Sequence, residues 1–101
     1  MRKKGWSKSA RRKGYRLEYD TVQHFKKQGI FATRNPAYNQ RGDMRPVDVI
    51  VCKDPIFVQC KYRKKYLHEE EKERIKVACK SFNATAMLVW RDRGIRKEIL
   101  N

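Results

Sequence analysis

The strongest constraint on the fold is a pair of alternating runs, residues 47–52 and 56–62, joined by Lys53-Asp54-Pro55. Successive side chains of an extended chain point to opposite faces. The first run then sets Val47, Val49 and Val51 against Asp48 and Ile50. The second sets Ile56, Val58, Cys60 and Tyr62 against Phe57, Gln59 and Lys61. So short a turn makes the two strands antiparallel neighbours. Both read as sheet interior, so Asp48, Gln59 and Lys61 fall where a solvated face is not expected. Singly, each has an ordinary explanation: an Asp after Pro46 often caps a turn, and a Gln-x-Lys often lies on a solvated edge. On adjoining strands in a suitable register, the three share one face.

Helical spacing flanks this hairpin. Across about 14–28, Tyr15, Tyr19, Val22 and Phe25 form an apolar stripe, and Gly29 suits a C-terminal cap. Glu18 falls inside the stripe, where an unpaired carboxylate is costly. Asp20 and His24 lie off it and read as solvated. Residues 30–34 read as a short strand, and 35–46 as a loop marked by Asn35-Pro36, Arg41-Gly42-Asp43 and Pro46. A second helix is predicted over 68–82, with the stripe Ile75, Ala78, Cys79 and Phe82. Glu69, Glu70 and Glu71 occupy its first turn, where acids favour the helix dipole. Lys72, Lys76 and Lys80 form its solvated ladder. Residues 84–90 are apolar on both faces, as an interior strand reached by a crossover helix must be. The charged segment 91–101 holds a final short strand or helix. The order α-β-β-β-α-β gives an α/β sandwich, a mixed β-sheet flanked by helices whose last strand is parallel to another.

Charge narrows the partner. Twenty-six Lys and Arg against 11 Asp and Glu leave a net charge of +15, a field that attracts polyanions, so nucleic acid is the first candidate. A membrane is not expected: no stretch approaches the roughly 20 apolar residues of a spanning helix, and the basic N-terminus lacks an apolar core. Residues 1–12, with Trp6 among them, read as a flexible basic arm, and 13–101 as one domain. Cys52, Cys60 and Cys79 include no CxxC pair, which points to reduced core thiols in a cytoplasmic protein. His24 and His68 are the only histidines, and His68-Glu69-Glu70-Glu71 lacks the second histidine of a zincin helix. Any metal should therefore be held by oxygen. Carboxylate and amide oxygens holding Mg²⁺, beside a lysine, are what phosphodiester hydrolysis requires.

Pro46-Val47-Asp48 followed by Gln59-Cys60-Lys61 resembles the PD-(D/E)xK nuclease signature. Lys13-Gly14-Tyr15-Arg16-Leu17-Glu18 resembles the opening motif of archaeal-type Holliday junction resolvases. Tyr66-Leu67-His68-Glu69-Glu70 with residues 84–90 resembles the helix and strand that follow the lysine in them. The resemblance spans about residues 11–93 and implies a restriction-endonuclease-like fold. It implies that Glu18 and Asp48 are metal ligands, with Gln59 a ligand through its amide oxygen and Cys60 through its backbone carbonyl. It makes Lys61 the catalytic lysine, Mg²⁺ the metal with Mn²⁺ as substitute, and a homodimer nicking both strands of a four-way junction the active species. Two positions depart from the pattern. Gln59 stands where the family usually has an acid. The loop 35–46 has no counterpart of the resolvases' serine, so that either Tyr38 or Asn39 stands in or the junction-specific step differs. Asp43 there reads as a surface turn, with a stray ligand as the alternative.

Arg34, Arg41, Arg45, Lys53, Arg63, Lys64 and Lys65 are expected to border the site and track phosphates rather than read bases, with Arg11, Arg12, Lys13 and Tyr38 as further DNA-binding residues. Two other readings stay open: a nuclease of the same fold with another DNA target, and a basic nucleic-acid-binding module without catalysis. Only the nuclease readings require Glu18 and Asp48.

Overall fold

The computed structural model describes residues 8–101; the remainder of the arm, Trp6 included, lies outside the described residues, as do the side chains of Arg11 and Lys13. Helix α1, Lys8–Lys27, starts about six residues before the apolar stripe does. Residues 8–13 contain good helix formers and no proline, and propensity prevails there over like-charge repulsion. The buried face of α1 is Leu17, Thr21, Val22 and Phe25, whereas Tyr15 and Tyr19 are each 57% exposed. The stripe is therefore rotated from the one expected. Thr21 can be buried because its hydroxyl donates to the Leu17 carbonyl (2.7 Å). Gly29, at φ 78°, ends the helix: its N–H reaches the Lys26 carbonyl while Ile30 N–H reaches that of Phe25, the paired bonds of a left-handed cap.

Five strands follow, β1 (Ala32–Arg34), β2 (Val49–Val51), β3 (Ile56–Cys60), β4 (Thr85–Arg91) and β5 (Ile95–Ile99), with α2 (Glu69–Phe82) between β3 and β4. They form one sheet in the order β1-β2-β3-β4-β5. β3 and β4 are parallel through the α2 crossover and every other pair is antiparallel. The final charged segment is thus a fifth strand, β5. It turns back through Arg93 and Gly94, both at positive φ, and its Arg96, Lys97 and Glu98 suit a sheet edge.

The two helices cover opposite faces. On the α1 side, Leu17, Val22 and Phe25 pack on Val49, Val51, Val58, Met87 and Val89. On the α2 side, Ile75, Ala78 and Cys79 pack on Phe57, Ala86 and Leu88. Val47 belongs to the α2 side, not with Val49 and Val51. Its N–H still bonds the Met44 carbonyl (3.1 Å), so strand alternation starts only after it. Phe82 is 56% exposed but meets the Phe57 ring edge-on.

Asp20 and His24 are not free solvated groups. Asp20 accepts from Arg91 (2.5 Å), tying α1 to β4, and His24 contacts Gln28 and Lys97. Of the three thiols, Cys79 is buried and Cys60 half-buried, but Cys52 is exposed in the turn after β2. Among the described residues no helix is long and apolar enough to cross a membrane.

Candidate active site

The hairpin opens at one end, and the opening makes the site. Regular β2–β3 pairing stops at Val49 opposite Val58. One residue beyond, Asp48 N–H still donates to the Val58 carbonyl (2.7 Å), and the Asp48 carboxylate accepts from Cys60 N–H (2.7 Å). A side chain thus takes the place of the next ladder bond, which fixes that carboxylate at the C-terminal end of β3. The loop before it is rigidly organised by buried Asn35. Its Nδ2 donates to the Met44 and Val47 carbonyls, its Oδ1 accepts from Asn39, and its N–H reaches the Asp48 carbonyl.

A cleft of about 680 Å³ opens there, lined by Glu18, Asp48, Gln59, Cys60, Lys61 and Glu71, by Gly42, Asp43, Arg45 and Pro46 of the loop and by Arg74 and Val77 of α2. The structure therefore brings together Glu18 of α1, Asp48 just before β2, Gln59 and Cys60 of β3 and Lys61 just after it. Glu18, whose side chain is 16% exposed, accepts from Arg34 Nε at 3.0 Å. Burial pushes the Glu18 carboxyl above its ordinary value, an effect that Arg34 only partly offsets. Asp48 is raised to about 7. Burial is the main cause and nearby Glu18 and Glu71 add to it, against the opposing Cys60 N–H and Lys61. Two carboxylates disfavouring their own charge at one point suit a cation between them.

Gln59 is the sharpest indicator. It is 6% exposed, and among the described residues its Oε1 is the one buried side-chain polar atom without a hydrogen-bond partner. Such an atom is rare because an unmade bond to a buried group costs about 1–3 kcal/mol. An amide oxygen presented beside two carboxylates is a hard donor, the type Mg²⁺ takes. Among the described residues no three His, Cys, Asp or Glu side chains are gathered to hold a metal. The donor set that fits is Glu18, Asp48 and the Gln59 amide. Cys60 can add only its backbone: its thiol lies 3.8 Å from Thr21 on the α1 side, and burial raises it well above the ordinary value.

Glu71 and Arg74 were not legible as site residues in the glutamate-rich turn and lysine ladder of α2. Glu71 Oε2 accepts from Lys61 Nζ at 2.6 Å. Its carboxyl lies below the usual range: burial opposes ionisation, but the Lys61 ammonium and the His68 N–H prevail. A signal existed. Glu71 precedes buried Ile75 by four residues, just as Glu18 precedes Val22, so both acids sit above an inward-facing position.

The basic residues divide. Arg45 lines the cleft and Arg34 reaches Glu18 in it. Asp43 also lines it, on an exposed turn. Arg12 and Arg41 are exposed, and Tyr38 is 78% exposed. Asn39 is held within the loop by its bond to Asn35. Arg63 stacks on Tyr62 and donates to the Arg91 carbonyl, Lys64 pairs with Glu98 (2.6 Å), and Lys65 lies over Tyr66. Lys53, expected beside the site, sits in the β2–β3 turn at the other end of the hairpin.

The family model described as archaeal Holliday junction resolvase (hjc) matches residues 9–101. Among solved structures, Archaeoglobus fulgidus Hjc, a Holliday junction resolvase from an archaeal hyperthermophile, is similar at 25% identity and a TM-score of 0.68. The match covers 87% of this chain and 73% of that one. No curated protein matches the chain. The mixed sheet between two helices is the restriction-endonuclease-like architecture of that structure, in agreement with the fold read from the sequence.

Proposed function

Since the chain belongs to the archaeal Holliday junction resolvase family, we propose that it is a metal-dependent endonuclease that resolves four-way DNA junctions by paired nicks. Such an activity serves DNA recombination and repair. The observation that carries the reading is the unpartnered, buried Gln59 Oε1 in one cleft with Glu18, Asp48 and Lys61. Glu18, Asp48, the Gln59 amide and the Cys60 carbonyl would hold Mg²⁺, or Mn²⁺ in its place. When bound, the cation supplies acidity to an attacking water and neutralises charge on the scissile phosphate.

The chain's own groups do the rest. Asp48, pinned by Cys60 N–H, and Glu18, steadied by Arg34, place their charges without reorganisation. The Lys61 ammonium stabilises negative charge developing on the phosphate oxygens, a role that a low-dielectric cleft strengthens. Arg45 and Arg74, which both line the cleft, are placed to take flanking phosphates. Arg11, Arg12, Lys13, Tyr38, Arg41 and Arg63 to Lys65 extend the contact along the junction arms. Cutting two strands of opposite polarity needs two such sites, which a two-fold homodimer provides.

The test is cleavage of labelled four-way junction, flap, linear duplex and single strand in Mg²⁺, beside Asp48→Asn. Paired symmetric nicks confined to the junction and absent from the variant are expected. Cutting that favours another substrate would keep the nuclease but move its target. Tight binding without cleavage in either metal would leave a basic binding module.

A further inference from the structure

We propose that Glu71 is a positioning residue for Lys61, holding its ammonium over the cleft floor and away from the metal-binding carboxylates. This rests on the reading of Lys61 as the catalytic lysine. A lysine side chain has four rotatable bonds and no preferred partner in a cleft that also contains Asp48 and Glu18. Left to itself, its ammonium would settle on the carboxylates that must receive the metal. The structure shows another arrangement. Among the described residues Lys61 makes its ion pair with Glu71 alone, at 2.6 Å.

Glu71 is itself held from two directions. Its Oε1 accepts from His68 N–H (3.2 Å), the backbone half of a capping box that fixes where α2 begins. One turn on, Ile75 is fully buried in the α2-side core, so the helix cannot rotate to carry Glu71 away. The carboxylate is therefore placed by a capped and packed helix, and Lys61 by β3. Their side chains are 23% and 28% exposed, so solvent screens the pair less than it would a surface bridge. The pair spans the cleft from sheet to helix, beside Gln59 and Asp48. Its position can fix a charge to the precision that phosphoryl chemistry demands. Simple helix capping does not account for it, because the cap uses Oε1 alone and leaves Oε2 to the lysine.

Glu71→Gln separates the two roles, because glutamine at this helix position still closes a capping box but carries no charge for Lys61. The full chain would be assayed for junction cleavage over a range of Mg²⁺ concentrations, alone and in a Lys61→Met background. Expected is a roughly ten- to hundredfold fall in kcat, with KM for the junction and the melting temperature unchanged and a higher Mg²⁺ requirement. In the Lys61→Met background, with residual cleavage read in Mn²⁺, Glu71→Gln should have no further effect. Wild-type turnover in Glu71→Gln beside an inactive Lys61→Met would overturn the role of Glu71 and leave the nuclease reading standing. An equal additional loss in the Lys61→Met background would also overturn it, since Glu71 would then act independently of the lysine. Wild-type cleavage by Lys61→Met itself would remove both.

Discussion

Replacing Asp48 with asparagine should stabilise the metal-free protein, by an amount that grows as pH rises from about 4 to about 7 and then levels off. In the folded chain Asp48 holds its proton up to about 7, against an ordinary value of 3.8. Protonation therefore favours folding, and that contribution is fully present below the unfolded value and lost as pH rises through about 7. At about 1.36 kcal/mol per pH unit the gap corresponds to roughly 4 kcal/mol; relaxation and water entering the half-buried cleft reduce this to about 2 kcal/mol. Asparagine can keep the bond from Cys60 N–H through its Oδ1 and cannot ionise. In a domain of this size about 2 kcal/mol moves the melting temperature by on the order of 10 °C. Thermal melts in chelator should show the two proteins converging near pH 4 and the variant melting higher at pH 8. Adding Mg²⁺ at pH 8 should raise the wild type alone. A gap between the two proteins that does not change with pH would refute the placement of a desolvated carboxylate at Asp48.

Other outcomes follow from the same geometry. Gln59→Glu adds a charge where the unpartnered oxygen lies, so cleavage should persist and saturate at lower Mg²⁺; inactivity at every Mg²⁺ concentration would exclude Gln59 as a ligand. Asn35→Ala strips the Met44 and Val47 carbonyls of a donor, which should cost about 2–4 kcal/mol and lower the melting temperature by on the order of 10 °C or more. A change of only a degree or two would mean that this loop is not organised around Asn35. Junction affinity of the +15 chain should fall on the order of a thousandfold between about 50 and 200 mM salt. A flat salt response would argue against phosphate tracking.

The sheet was legible where the chain alternates without interruption. In Ile56–Cys60 every second side chain faces the same helix, so Gln59 and Lys61 fall on the α2 side as the pattern requires. The crossover also read correctly, because a strand apolar on both faces has to be interior. The errors have distinct physical causes. Tyr15 and Tyr19 resemble a core stripe, but their hydroxyls let them stay in water, while Thr21 goes inside by satisfying its own hydroxyl on the helix. Val47 continues an alternation by eye, but a backbone turn intervenes. β5 is carried by tertiary pairing to β4 rather than by its charged sequence. Glu71 was hidden among three acids whose presence the helix dipole already explained.

Soaking crystals in Mn²⁺ and locating it by anomalous scattering would show whether this cleft is a metal centre. A single strong peak within roughly 2–2.5 Å of Glu18, Asp48 and Gln59 Oε1, and lost in Asp48→Asn, is the expected result. Manganese bound elsewhere, or a Gln59 oxygen left unpartnered with the metal present, would contradict the site.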